Sequence, residues 1–85
     1  IMPAHDEALG IAPPIAAVLA QLAVGDRLVV VADNCSDDTA EVARSLGALV
    51  VERSDTEKRG KGYALDFGLR SLEADPPEVV LIVDA

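Results

Sequence analysis

With 85 residues the chain is long enough for one small domain or for a piece of a larger one. Hydrophobic residues make up 51%, which excludes intrinsic disorder, and aromatics only 2%, so the core has to be built from Ala, Val, Leu and Ile. A formal net charge of −8 and a pI near 4.3 argue against nucleic acid or an anionic membrane surface as a partner, and are compatible with a site holding a divalent cation.

Ile1-Met2 reads as the tail of a first strand, followed by a loop from Pro3 to Gly10. Pro13-Pro14 suits the first turn of a helix, where missing amide protons cost nothing. Ile15, Val18, Leu19 and Leu22 then recur at helical spacing until Gly25-Asp26. Leu28 to Val31 is a continuous apolar run, as expected of a strand buried on both faces. Asp33 to Asp38 is a polar turn, and Asp38 and Glu41 have the spacing of a capping box that would open a second helix. Val42, Ala43 and Leu46 give that helix its apolar face, and Gly47 ends it. Ala48 to Val51 is the third strand. A polar loop from Glu52 to Gly60 carries Arg53, Lys58 and Arg59, expected to be solvated. A third helix with Leu65, Leu69 and Leu72 on one face runs to Pro76-Pro77, and Glu78 to Val83 is the fourth strand.

The order β-α-β-α-β-α-β predicts an α/β fold: a three-layer, Rossmann-like parallel sheet with right-handed crossovers and strand order 3-2-1-4. Such sheets bind ligands at the carboxyl ends of their strands. Asp6, Asp33 and Asp84 follow three of the strands, and adjacent strands lie ~5 Å apart, so the three acids can face one small ligand. Carboxylates there suit a metal, a ribose or a base edge, and Lys61 at a helix start suits a phosphate. The pattern points to a nucleotide or nucleotide-sugar site. Neither a Walker loop nor a GxGxxG fingerprint is present.

Four segments carry a resemblance. Val30-Val31-Ala32-Asp33-Asn34-Cys35-Ser36-Asp37-Asp38-Thr39 resembles the strand-turn of family 2 glycosyltransferases, usually close to VVDDGSTDGT. Pro3-Ala4-His5-Asp6-Glu7 is similar to that family's opening loop, although many relatives carry Tyr-Asn where His5 and Asp6 stand. Gly60-Lys61-Gly62-Tyr63-Ala64-Leu65 is similar to its GKG-x-A-L helix start, and Val83-Asp84-Ala85 to the beginning of its D-x-D motif. Each segment is weak alone; their order along the chain makes them specific together.

The resemblance implies a GT-A fold, of which residues 1–85 are the nucleotide-sugar-binding half, truncated within D-x-D. It implies a UDP- or GDP-sugar donor, a glycan, lipid or small-molecule acceptor, Mg²⁺ or Mn²⁺ as cofactor, and an inverting transfer. Asp33 then matches the position that binds the base, and a carboxylate, being acceptor-only, suits uracil or guanine N–H groups. Lys61 faces the diphosphate, Asp84 lies near ribose and metal, and Pro3, Ala4 and Glu7 line the nucleotide site. His5 is a weaker candidate for stacking on the nucleotide. No residue is assigned as catalytic base, which in this family lies far downstream, so the fragment alone is expected to be inactive. Asp37 and Asp38 are read as helix-capping residues, and Cys35 as a turn residue without a catalytic or metal partner.

Three rivals stand beside this reading. A nucleotidyltransferase would need a glycine-rich basic loop after the first strand, where this chain has Asp6-Glu7; a non-catalytic nucleotide-binding or assembly module could keep the same fold. A receiver domain shares an acidic pocket but has no use for the Asp33–Thr39 turn or the GKG helix start. The single cysteine excludes an internal disulfide and fits a reducing compartment, so the cytoplasm or the cytoplasmic face of a membrane is expected. Membrane association would have to come from segments outside this chain, since no run approaches the ~18 apolar residues of a spanning helix. With a first strand of two residues, the isolated chain is expected to be marginally stable.

Overall fold

The computed structural model describes residues 1–84, leaving Ala85 of the last motif outside the described residues. Three parallel strands form the sheet: β1 (Met2–Ala4), β2 (Val29–Asp33) and β3 (Leu49–Arg53), in the order β1-β2-β3. Three helices alternate with them: α1 (Ala12–Leu19), α2 (Thr39–Ser45) and α3 (Lys61–Ser71). The α/β class, the parallel pairing and the 3-2-1 part of the expected order are all present.

Strand β2 is buried at every position because it has a strand on each side and a layer on each face. Its side chains alternate between the layers. Val30 points into a core with Met2, Ala4, Ile11, Ile15, Leu28, Ala43 and Ala48, beneath α1 and α2. Val31 points the other way, onto Ile1 and Ala64, beneath α3. The β-branched run needed polar residues on neither side, which is why it reads as a continuous apolar segment.

Helix α3 approaches the sheet closely at Gly68. A Cβ placed there would meet Val31 Cγ2 at 2.9 Å and Ile1 Cγ2 at 3.1 Å. Alanine is the better helix former by about 1 kcal/mol, but overpacking costs about 1–3 kcal/mol. Gly68→Ala is therefore expected to destabilise the fold by about 1 kcal/mol, read as a lower denaturant midpoint with an unchanged slope.

Three expectations are corrected. The Glu78–Val83 segment lies beside β1, as the 3-2-1-4 order requires: the Ile1 amino group donates to Leu81 O at 2.7 Å and the Val83 amide to Ile1 O at 3.0 Å. Those two bonds do not make a strand, and residues 79–84 have no regular structure. Pro76 and Pro77 supply no amide protons, and Val79, Leu81 and Ile82 are exposed, so core packing by Val83 alone does not straighten the segment. Helix α1 stops at Leu19, before Leu22, which packs on the core from the turn that follows. The capping box does not form either: Asp38 is the N-cap of α2 but makes no side-chain cap bond.

Candidate functional site

At the carboxyl ends of the strands the described residues enclose a cleft of about 520 Å³. Strand β1 and the loop after it contribute Pro3, Ala4 and Glu7; β2 contributes its last residue, Asp33; the start of α3 contributes Lys61; and the segment beside β1 contributes Asp84. All six residues that the resemblance placed at the nucleotide site thus line one cleft. His5 lines it too, and its Nδ1 is 2.8 Å from the Asp33 carbonyl oxygen, a bond that ties the β1 loop to the end of β2. Gly60, the N-cap of α3 with φ 114°, also borders the cleft. That backbone geometry favours glycine and brings the chain into α3 with its first amides toward the cleft end of the helix.

Asp33 is the most constrained acid of the site, with only 6% of its surface exposed. Its Oδ1 accepts a bond from Arg53 Nη1 at 2.8 Å and a longer one from Asn34 Nδ2 at 3.4 Å. Among the described residues no buried side-chain polar atom is left without a partner and Oδ2 has no protein donor, so that oxygen is solvent-accessible, on a residue that lines the cleft.

Arg53 was expected to be a solvated loop residue; instead it is the last residue of β3, and its side chain is 9% exposed. The parallel register sets Arg53 directly beside Asp33. Its Nη2 also donates to the Lys58 carbonyl, and the guanidinium lies 5.4 Å from the Tyr63 ring centroid, a cation–π distance. The sequence signal was an arginine two positions past the apolar run Ala48–Val51, at the end of a strand whose neighbour ends in aspartate, which the register makes an ion pair.

Lys61 Nζ and Asp84 Oδ1 form a salt bridge across the cleft mouth. Both side chains are largely exposed, 55% and 76%. The lysine expected to face phosphate and the aspartate expected to face metal therefore neutralise each other when nothing lies between them.

Asp6, expected to face one small ligand together with Asp33 and Asp84, does not line this cleft, because the turn after β2 engages its carboxylate. Its Oδ1 accepts the Ser36 amide at 2.6 Å, and the φ of 48° at Asp6 is the left-handed geometry this turn requires. Asp37 does the complementary work from the other side. It accepts from the Ala8 amide at 3.2 Å, the Thr39 amide at 3.0 Å and the Thr39 hydroxyl, and the Glu7 amide in turn donates to Thr39 Oγ1 at 2.9 Å. These bonds clasp the β1 loop to the β2–α2 turn and hold Glu7 at the cleft edge. Asp6, Cys35 and Asp37 bring possible ligand atoms within 4.8 Å of one another, but their acceptor oxygens are already engaged by the clasp.

The Thr39 hydroxyl, helped by the Ala8 and Thr39 amides, holds the Asp37 carboxyl below its ordinary pKa. A depressed carboxylate stabilises the fold above its unfolded pKa, and that stabilisation is lost as pH falls through the folded one. Acidification below the ordinary carboxylate range is expected to release the clasp, seen as amide shifts of Ala8 and Thr39 titrating together; Asp37→Asn should abolish that titration.

No helix among the described residues is long and apolar enough to cross a membrane. Neither the curated proteins nor the solved structures contain a significant match to this chain. The family model described as "Glycosyl transferase family 2" matches residues 1–85, the whole of the chain. A parallel α/β sheet, a cleft at its carboxyl edge and that match agree, and the chain belongs to the family 2 glycosyltransferases.

Proposed function

We propose that residues 1–85 are the donor-binding half of a GT-A glycosyltransferase domain that takes a UDP- or GDP-sugar and passes the sugar, with inversion, to a glycan, lipid or small-molecule acceptor. The observation that carries this reading is the convergence of Pro3, Ala4, Glu7, Asp33, Lys61 and Asp84 on one cleft. In it, Asp33 Oδ2 accepts a base N–H, Pro3 and Ala4 form the floor against the nucleoside, and Lys61 with the first amides of α3 receives the diphosphate.

The family in general uses a divalent metal, and the donor set fits a hard cation. Mg²⁺ and Mn²⁺ favour oxygen ligands, and Mg²⁺ is held through one or two carboxylates together with substrate phosphates and water. Asp84, exposed at the mouth, and Glu7, at its edge, are the carboxylates that would hold it. When bound, the metal would neutralise the diphosphate leaving group. Asp33 is a poor ligand, because Arg53 already offsets its charge. Deprotonation of the acceptor is assigned to no residue of this chain.

Calorimetric titration of the full-length protein with UDP and GDP, with and without Mn²⁺, tests the reading. Saturable binding strengthened by Mn²⁺ is expected. Binding of neither nucleotide, or binding indifferent to Asp33→Asn, would overturn it.

A further inference from the structure

We propose that Arg53 is a positioning residue that makes this cleft select uridine over guanosine donors, an inference that rests on the donor-binding reading above. A free carboxylate has two oxygens and can accept two parallel N–H bonds. Guanine presents such a pair, its N1–H and N2–H; uracil presents one N–H, at N3. The carboxylate of Asp33 is not free. Arg53 Nη1 at 2.8 Å and Asn34 Nδ2 at 3.4 Å occupy the two lone pairs of Oδ1, which leaves Oδ2 as the oxygen without a protein donor among the described residues, on a residue that lines the cleft. One acceptor oxygen matches the single donor of uracil and leaves one guanine N–H without a partner.

The pinning is rigid. Arg53 is nine-tenths buried, stacks on Tyr63, donates to the Lys58 carbonyl and lies 3.8 Å from an Asp55 oxygen. Asn34 is fixed as well, because its Oδ1 accepts the Asp55 amide at 2.8 Å. The carboxylate therefore cannot turn to offer both oxygens. An unpaired buried donor costs enough to set at least about a tenfold difference in affinity.

The test is the ratio of UDP to GDP dissociation constants in the full-length protein with Mn²⁺, for the natural chain and for Arg53→Lys, which keeps the charge but not the planar fork. UDP is expected to bind at least about tenfold more tightly than GDP. Arg53→Lys, checked for folding by its thermal melt, should narrow that ratio, whereas a merely structural residue would weaken both nucleotides equally. GDP binding as tightly as UDP, or a ratio unchanged in Arg53→Lys, would overturn the selection while leaving donor binding intact. Binding of neither nucleotide to the natural chain would overturn both.

Discussion

Asp33→Ala is expected to cost about 3 kcal/mol of folding stability, measured as a shift of the denaturant midpoint, and to abolish nucleotide binding. Asp33 and Arg53 face each other at 2.8 Å with side chains each only 9% exposed. Removing one member of such a pair leaves a buried charge uncompensated, which costs about 3–5 kcal/mol. The lower end applies here, because Arg53 keeps the Lys58 carbonyl, the Tyr63 face and the more distant Asp55 carboxylate. Asp33→Asn separates the two effects. Its amide oxygen can still accept from Arg53, so stability should fall less. Its amide nitrogen would then face the cleft, where a base N–H needs an acceptor, so binding should still be lost. An Asp33→Ala protein as stable as the natural one would mean that the pair is solvated.

How much of this was legible in the sequence differs from residue to residue. Asp33, Lys61 and Asp84 could be placed because each lies next to a strong local signal: the end of an apolar run, a glycine-flanked helix start, the end of another apolar run. A parallel sheet turns such positions into neighbours through topology alone. Arg53 could not be placed in the same way. Its neighbouring charges, Glu52, Asp55 and Lys58, describe a polar loop, and only the register that sets it against Asp33 makes it buried. Asp37 and Asp38 were legible in part: Asp38 is the N-cap of α2 without a side-chain bond, and Asp37 accepts the amide of Thr39, the first residue of that helix. What the sequence hid is the other donor, the Ala8 amide, which bonds the second oxygen of Asp37 from a loop 29 residues away. The last apolar run, Val79 to Val83, carries strand propensity, but the chain beside it pairs with it only at Ile1. Propensity describes how well a segment fits a pleated, packed surface; with two bonds to Ile1, that surface is incomplete.

Lys61→Met is expected to weaken UDP about 10- to 100-fold when titrated without metal, while the melt is nearly unchanged. A charge-assisted bond to phosphate contributes about 1.5–3 kcal/mol, whereas the Lys61–Asp84 bridge it replaces is exposed and contributes ~0–1 kcal/mol. The diphosphate therefore wins the lysine from the aspartate, and opening the latch costs little. Asp84→Asn should act with the opposite sign in the same metal-free titration. Lys61 is then unlatched in advance, and UDP should bind as tightly as before or up to ~5-fold more tightly, the limit set by the energy of the bridge. With Mn²⁺ the sign reverses again, because the substituted side chain no longer supplies an anionic ligand and the enhancement by metal should shrink. Weaker UDP binding by Asp84→Asn in the absence of metal would place that carboxylate on the donor directly, as a ribose contact, and not on the cation.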